Sequence, residues 1–127
     1  MAIVQIQQFD AHLADAPKLE WVTLGTDRRA RATFVAISND VRGSGAERRE
    51  RATAILWTAW GAAAEAHAAH LGKGSHVNVL GRIGRARHTD SESGELVYGY
   101  TFTAEAVHYL DTHQAAEARR RKHVQPT

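Results

Sequence analysis

The apolar and polar residues of this chain alternate with the period of a β-strand in several separate segments. Residues 3–9 place isoleucine and valine between glutamines, and a period of two gives an extended segment one apolar face. Residues 31–39 and 53–60 are rich in β-branched and aromatic side chains, as strands are. Together with residues 75–88 and 96–104, the pattern predicts five strands.

One helix interrupts this series. Residues 62–71 consist almost entirely of good helix formers, with five alanines in the first seven positions, and Gly72 and Gly74 then end the helix. Residues 19–24 are also predicted to be extended. Residues 89–95 contain a glycine and predict a hairpin turn between the last two strands.

Five strands with one helix between the third and the fourth are the arrangement of a small Greek-key barrel of the oligonucleotide-binding (OB) type. A chain of 127 residues provides one core and one domain. We therefore expect a mainly β, OB-fold domain over residues 1–111. Residues 112–127 have no apolar stripe and are predicted to form a basic, disordered tail.

Composition excludes several classes of protein. Hydrophobic residues make up 43% and charged residues 24%, as in ordinary globular proteins. No window approaches 18 uninterrupted apolar residues, so we expect no membrane span and no membrane partner. The first residues lack the pattern of a secretory signal. Cysteine is absent, which excludes disulfides and fits a reducing cytoplasm.

The distribution of charge is more informative than its sum. The net charge is +2, and the tail's four cations and one glutamate account for +3 of it, so the rest of the chain carries −1. Clustering, not net charge, sets the local field that a polyanion meets. Two arginine clusters stand out. They are Arg42, Arg48, Arg49 and Arg51 in one segment, and Arg82, Arg85 and Arg87 in another.

Residues 61–90, GAAAEAHAAHLGKGSHVNVLGRIGRARHTD, closely resemble the helix and fourth strand of bacterial single-stranded DNA-binding proteins. Similarity continues on both sides of this run. Residues 15–17 with Trp21 are similar to the family's turn after its first strand, residues 32–34 to the opening of its second, and residues 98–110 to its closing strand. The ordered succession is more specific than any one element.

The resemblance implies an OB barrel that assembles as a homo-oligomer, usually a tetramer. It implies binding of single-stranded DNA without sequence preference, in replication, recombination and repair. The rival expectation is an oligomeric replisome adaptor, similar to primosomal proteins, with weak or no DNA binding. A primosome-type dimer is a further alternative.

The chain departs from the family in three places. Val41, Arg42 and Ala54 lie where family members usually carry aromatic residues, and His88 lies where a tryptophan is common. The end of the chain is basic, whereas family members end in an acidic tail that recruits other proteins. An accessory member, such as one encoded by a mobile element, fits these departures.

Trp60 takes the place of a base-stacking aromatic in this resemblance. Strand parity puts it on the face of Thr58 and Leu56 and puts Trp57 on the opposite face, so Trp57 is predicted to be core. A core position is the alternative for Trp60. His88 is predicted to stack on a base, with a plain surface histidine at a strand end as the alternative.

Tyr98, Tyr100 and Phe102 share one face of the fifth predicted strand. A small barrel cannot leave the whole row in water, so at least one of the three is expected to be core. Tyr98 is nearest the hairpin and is the predicted base contact. Phe34, on the second strand, is predicted to be core.

The arginines and one lysine are predicted to neutralise phosphates. Arg82, Arg85 and Arg87 fall within six residues, with no acid before Asp90, which favours phosphate contact over a solvated sheet edge. Lys73 is assigned the same role.

Residues 40–51 contain no core-forming residue after Val41 and are predicted to be a solvated, mobile loop. Its four arginines allow two interpretations, a simple connector or a flap over the DNA backbone.

Metal binding and catalysis find little support. His67 and His70 stand three apart on the helix, with His76 nearby, but no cysteine or carboxylate completes a ligand set. No phosphate-binding glycine loop or Ser/His/Asp set is recognisable. We therefore expect no enzymatic activity, no metal or other cofactor and no small-molecule substrate.

Overall fold

The computed structural model describes residues 3–111, apart from the side chains of His88 and Val97. The strands are β1 (Val4–Leu13), β2 (Lys18–Leu24), β3 (Asp27–Arg42), β4 (Arg49–Trp60), β5 (His76–Thr89) and β6 (Leu96–Tyr109). The helix α1 spans Ala62–His70, and a short 3-10 turn spans Gly45–Glu47. The predicted tail, residues 112–127, lies outside the described residues.

Five of these six strands close into a ring. Neighbouring strands follow the order β1-β5-β6-β4-β3-β2, and β1 also pairs with β3. β4 and β6 are parallel, and the other neighbouring pairs are antiparallel. With α1 between β4 and β5, this is the Greek-key topology of the OB-fold. The predicted class, a mainly β barrel of five strands with one helix, is confirmed.

The sixth strand, β2, lies outside the ring, and its one partner strand within residues 3–111 is β3. The sequence predicts residues 19–24 to be extended but does not pair them with a partner. Their partner is the start of β3, which begins at Asp27, before the predicted start at residue 31. The turn between the two strands contains Gly25 at φ 65°, a conformation that glycine favours. Backbone pairing therefore extends β3 through charged residues, where no alternation of apolar side chains predicts a strand.

The prediction of a mobile loop over residues 40–51 is wrong for most of that segment. β3 continues to Arg42 and β4 starts at Arg49, and their ladder includes the pair Asp40↔Arg51. Every side chain of the segment is exposed, as predicted. Cross-strand backbone hydrogen bonds can extend a hairpin into water without apolar side chains.

The core of the barrel is built around Trp57, which is fully buried as strand parity predicts. Its indole N–H donates to the side-chain oxygen of Gln8 at 2.8 Å, and its ring meets Phe102 edge-on with 6.0 Å between centroids. Gln8 is itself buried and donates to the Ala36 carbonyl at 3.0 Å. The polar groups of Trp57 and Gln8 thus have hydrogen-bond partners inside the core. Phe34 is also buried, as predicted.

The helix α1 packs against β3 and β4 through Ala64 and His67, its buried residues. Nδ1 of His67 lies 2.6 Å from the hydroxyl oxygen of Tyr109. Burial, and secondarily the charge of His70, lowers the pKa of His67, while burial raises the pKa of Tyr109. Both groups are therefore held neutral at this contact. No helix within residues 3–111 is long and apolar enough to cross a membrane.

Candidate nucleic-acid interface

Two hairpin arms project from the same end of the barrel. β4 and β6 are parallel and in register at Trp57↔Phe102, so their first residues point the same way. The first arm, residues 38–53, joins β3 to β4, and the second arm, residues 84–101, joins β5 to β6. β4 begins eight residues before Trp57, and β6 begins six residues before Phe102, which is level with Trp57. At ~3.3 Å per residue these segments are about 26 Å and about 20 Å long. Both predicted arginine clusters contribute to these neighbouring arms.

One face of the second arm carries arginines and tyrosines together. Arg85 pairs with Tyr100 across the strands, and Arg87 pairs with Tyr98, and directly opposed residues of an antiparallel ladder share a face. The guanidinium carbon of Arg85 lies 4.4 Å from the centroid of the Tyr98 ring. Tyr98 is 52% exposed and Tyr100 is 73% exposed. Cations and ring faces are thus presented to solvent side by side.

The three aromatic residues in the row on β6 differ in burial, as expected for a barrel of this size. Phe102 packs against the buried cluster, whereas Tyr98 and Tyr100 lie beyond it on the arm. Tyr100, which the sequence analysis did not select, is the more exposed of the two tyrosines. Its exposure depends on where the barrel ends along β6, which strand parity alone does not reveal.

Arg82 lies apart from Arg85 and Arg87. It pairs with Thr103 on β6 and with Gln5 on β1, and its parity puts it on the opposite face of the sheet. The three arginines therefore do not form one cluster. His88 lies on β5, and its side chain lies outside the described part of the structure.

The arginines of the first arm are partly engaged by acids. Arg42 contacts Asp40 at 2.9 Å, and Arg48 contacts Glu50 at 3.3 Å. Within residues 3–111 no such ion pair involves Arg49 or Arg51; the ion pairs found there are Lys18–Glu20, Arg31–Glu20, Arg42–Asp40, Arg48–Glu50 and His76–Asp10. Exposed ion pairs contribute about 0–1 kcal/mol, so a polyanion can displace the acids.

Trp60 lies on the outer face of the sheet and is half-buried. Its cross-strand partner is Arg31, whose guanidinium carbon lies 5.9 Å from the indole centroid. Arg31 also contacts Glu20 at 2.6 Å, and Glu20 contacts Lys18 at 3.2 Å. The hydrogen bond from Arg31, followed by that from Lys18, lowers the pKa of Glu20. Arg31 is a candidate site residue that sequence reasoning missed, because only the strand register places it beside Trp60.

A row of small polar residues crosses the outer face next to Trp60. Adjacent members are register partners in neighbouring strands, from β2 to β1. In that order the row contains Lys18, Thr33, Thr58, Thr103, Arg82 and Gln5. We call it the threonine row. It follows the curved outer wall of the barrel and has a cation near each end.

Lys73 lies at the end of the barrel opposite the two arms. It belongs to the turn between α1 and β5, which is fixed by a hydrogen bond from Gly74 N–H to the Leu13 carbonyl at 2.8 Å. Trp60, the last residue of β4, lies at the same end. The predicted site residues therefore spread along the length of the barrel instead of forming one compact patch.

Of the three histidines considered for metal binding, His67 and His70 both lie against the ring of Tyr109, and His76 has other partners. His67 is buried against Tyr109, whereas His76 contacts Asp10 and stacks on His12 with 4.5 Å between ring centroids. Across residues 3–111 no group of three histidine, cysteine or acidic residues is arranged to hold a metal ion.

In comparisons with known proteins, no family model matches the chain. No curated protein matches it either. A functional assignment therefore depends on the fold and on the surface described above.

Proposed function

We propose that this protein binds single-stranded DNA without sequence preference and supports DNA replication, recombination or repair in the cytoplasm. The observation that carries the proposal is the exposed face of the second arm, where Arg85 lies over Tyr98 and Tyr100 stands opposite Arg85. Ring faces that stack on unpaired bases beside cations that attract phosphates are what sequence-independent binding needs. The resemblance to single-stranded DNA-binding proteins points the same way.

The proposed path of the strand uses both ends of the barrel. Bases stack on Trp60 and on the tyrosines of the second arm, at about 1–3 kcal/mol per base. Arg49, Arg51 and Arg87 neutralise phosphates on the arms, and Arg82 does so along the threonine row. None of these contacts reads the edge of a base, so binding is expected to be indifferent to sequence.

We further propose that the protein is a homo-oligomer, a tetramer rather than a dimer. Residues 4–8 of β1 pair with β5 on one side, and their other edge has no partner strand within residues 3–111. Ile3, Val4 and Phe9 are more than half exposed there. Open strand edges with apolar side chains are surfaces that a second chain can cover.

Titration of the intrinsic tryptophan fluorescence with oligo-dT at two salt concentrations tests the main proposal. We expect quenching, and an affinity whose logarithm falls linearly with the logarithm of salt, by about 0.7 per phosphate neutralised. Replacing Arg85 and Arg87 by glutamine should reduce that slope, whereas Glu65→Gln on the exposed face of α1 should not. A protein that shows neither quenching nor salt-sensitive binding would refute the proposal.

A second candidate, an OB-fold adaptor with weak or no DNA binding, is favoured by one observation. The first arm carries Asp40, Glu47 and Glu50 among its four arginines, so its net charge is only +1. The substitution Trp60→Ala separates the two functions. A binder loses affinity for oligo-dT while its unfolding curve is nearly unchanged. An adaptor in which Trp60 is structural loses stability.

A further inference from the structure

The hairpin formed by β2 and the start of β3 carries a second tryptophan–arginine pair on its reverse side. Trp21 is 49% exposed, and the guanidinium carbon of Arg28 lies 5.4 Å from its ring centroid. Trp21 pairs with Ala30, and Thr23 pairs with Arg28, so Trp21 and Arg28 share one face of the hairpin. Strand parity puts the Arg31–Trp60 pair on the other face.

The edge of the sheet separates these two faces. β2 is the last strand in the sheet order, so within residues 3–111 its outer edge has no partner strand. From Trp60 a bound DNA strand crosses only β3 and β2 to reach that edge. This distance is about 10 Å at the ~4.8 Å spacing of neighbouring β-strands. A flexible polynucleotide can therefore pass over the edge without crossing another element.

The hairpin also has the charge that a polyanion requires. Residues 18–31 contain four cations and two acids, a net charge of +2. The acids are Glu20, which Arg31 and Lys18 engage on the other face, and Asp27. Arg28 and Arg29 are exposed, and no ion pair involves them within the described part of the chain. An exposed indole beside the guanidinium group of Arg28, which no ion pair among the described residues engages, suits a base and its phosphate.

We propose that Trp21 and Arg28 form a second contact site for single-stranded DNA, reached when a strand bound at Trp60 wraps over the β2 edge. This inference rests on the proposed function. It predicts that the site acts only on strands long enough to pass the edge. Leu19 shares the face and is 39% exposed, so a protein partner is the competing occupant. The positive charge of Arg28 and Arg29 favours nucleic acid.

The test compares short and long oligo-dT on the full-length protein. Lengths of about 8 and about 24 nucleotides lie within and beyond the ~4–16 nucleotides that one OB-fold covers. Trp60→Ala should weaken binding of both lengths. Trp21→Ala should leave the short oligonucleotide unaffected and weaken the long one about tenfold, the loss expected for one stacked base. Trp21→Phe should restore most of that affinity.

Two further variants make the result specific. Leu24→Ala removes an exposed apolar side chain from the same strand, 49% exposed like Trp21, and should change neither affinity. Arg28→Gln keeps the indole and should reduce the salt dependence of the long oligonucleotide alone. It provides the same test should Trp21→Ala prove unstable in thermal unfolding.

Three outcomes would overturn the inference. The first is a Trp21→Ala variant that binds both lengths as the parent does while Trp60→Ala is impaired, which leaves the proposed function standing. The second is an equal loss for both lengths. The third is a change of mass in analytical ultracentrifugation without loss of DNA affinity, which would assign the face to a protein contact. Failure of the parent to bind either length would refute the proposed function itself.

Discussion

At the scale of single residues, Gly81 leaves no room for a side chain beside Trp57. A Cβ atom placed on Gly81 would lie 2.5 Å from Cζ3 of Trp57 and closer still to the Thr103 carbonyl oxygen. Trp57 is fully buried and held by Gln8, so the ring has little room to move. Trp57 can therefore occupy its place in the core only because residue 81 has no side chain.

Replacing Gly81 by alanine should therefore lower the free energy of unfolding by about 3 kcal/mol or more, as overpacked cores do. Chemical denaturation followed by tryptophan fluorescence measures this loss. Gly99→Ala is the matched control, because no atom lies within 4 Å of its added Cβ. That control should change stability by no more than about 1 kcal/mol. Equal stability of the two variants would contradict the packing argument.

The pKa of His67 links stability to pH. Because burial lowers this pKa in the folded state, the unfolded chain binds a proton more readily below about pH 6.5, the ordinary value for histidine. The contribution of His67 to the free energy of unfolding is therefore fully present above that pH, and it decreases as the pH drops towards the folded-state pKa. His67→Gln should flatten the decrease in the denaturation midpoint between about pH 7.5 and about pH 5.5, one unit either side of that value. His108→Gln, at an exposed position of β6, should not.

Arg31 tests how Trp60 takes part in binding. Its guanidinium is already paired with Glu20, so we expect it to position the indole and not to neutralise a phosphate. Arg31→Met should reduce the fluorescence quenching by oligo-dT and leave the salt slope unchanged, whereas loss of a phosphate contact lowers that slope by about 1. Glu20→Gln should steepen the slope by releasing Arg31. A slope reduced in Arg31→Met would show that Arg31 contacts phosphate.

At the scale of elements, the acids of the first arm compete with DNA for its arginines. Asp40 and Glu50 occupy Arg42 and Arg48, and these exposed contacts are weak. The double substitution Asp40→Asn and Glu50→Gln should tighten oligo-dT binding several-fold at low salt and steepen its salt dependence. Anisotropy titrations of a labelled oligonucleotide measure both, with Glu65→Gln as the control of equal charge change per site. Unchanged affinity would mean that the first arm does not contact DNA.

The elements that bury an apolar face could be predicted from the sequence, and those held by backbone pairing alone could not. Period-two alternation is enough to place Trp57 inside and Trp60 outside, and alanine content is enough to place α1. The exposed start of β3 and the strands of the first arm have no such pattern, because their ladder hydrogen bonds are made by the main chain. The register between neighbouring strands could not be predicted from the sequence either. It is register that puts Arg31 beside Trp60 and Arg87 opposite Tyr98.

At the scale of the whole molecule, the local charge depends more on where the fold places the arginines than on the net charge of the chain. The chain outside the tail carries a net charge of −1, yet its arginines are concentrated on two arms and one edge hairpin. The parallel pairing of β4 and β6 is the reason that both arms leave the barrel at one end. Acids offset the arginines on the arms, with three against four on residues 38–53 and three against two on residues 84–101. The locally positive region that a polyanion meets is therefore the edge hairpin, residues 18–31, with a net charge of +2.

The ring itself is closed by a short seam. β1 and β3 pair only at His12↔Ile37 and Leu13↔Ala36, beside the bulge where Asp10 adopts φ 56°, whereas each of the other antiparallel ladders has seven or more pairs. The parallel pairing of β4 with β6 is equally short, with two pairs. Partial opening of this fold is therefore expected at one of these two seams, where the cylinder parts and becomes a curved, still hydrogen-bonded sheet. Such an opened form would turn the Gln8–Trp57 contact towards water long before the strands themselves come apart.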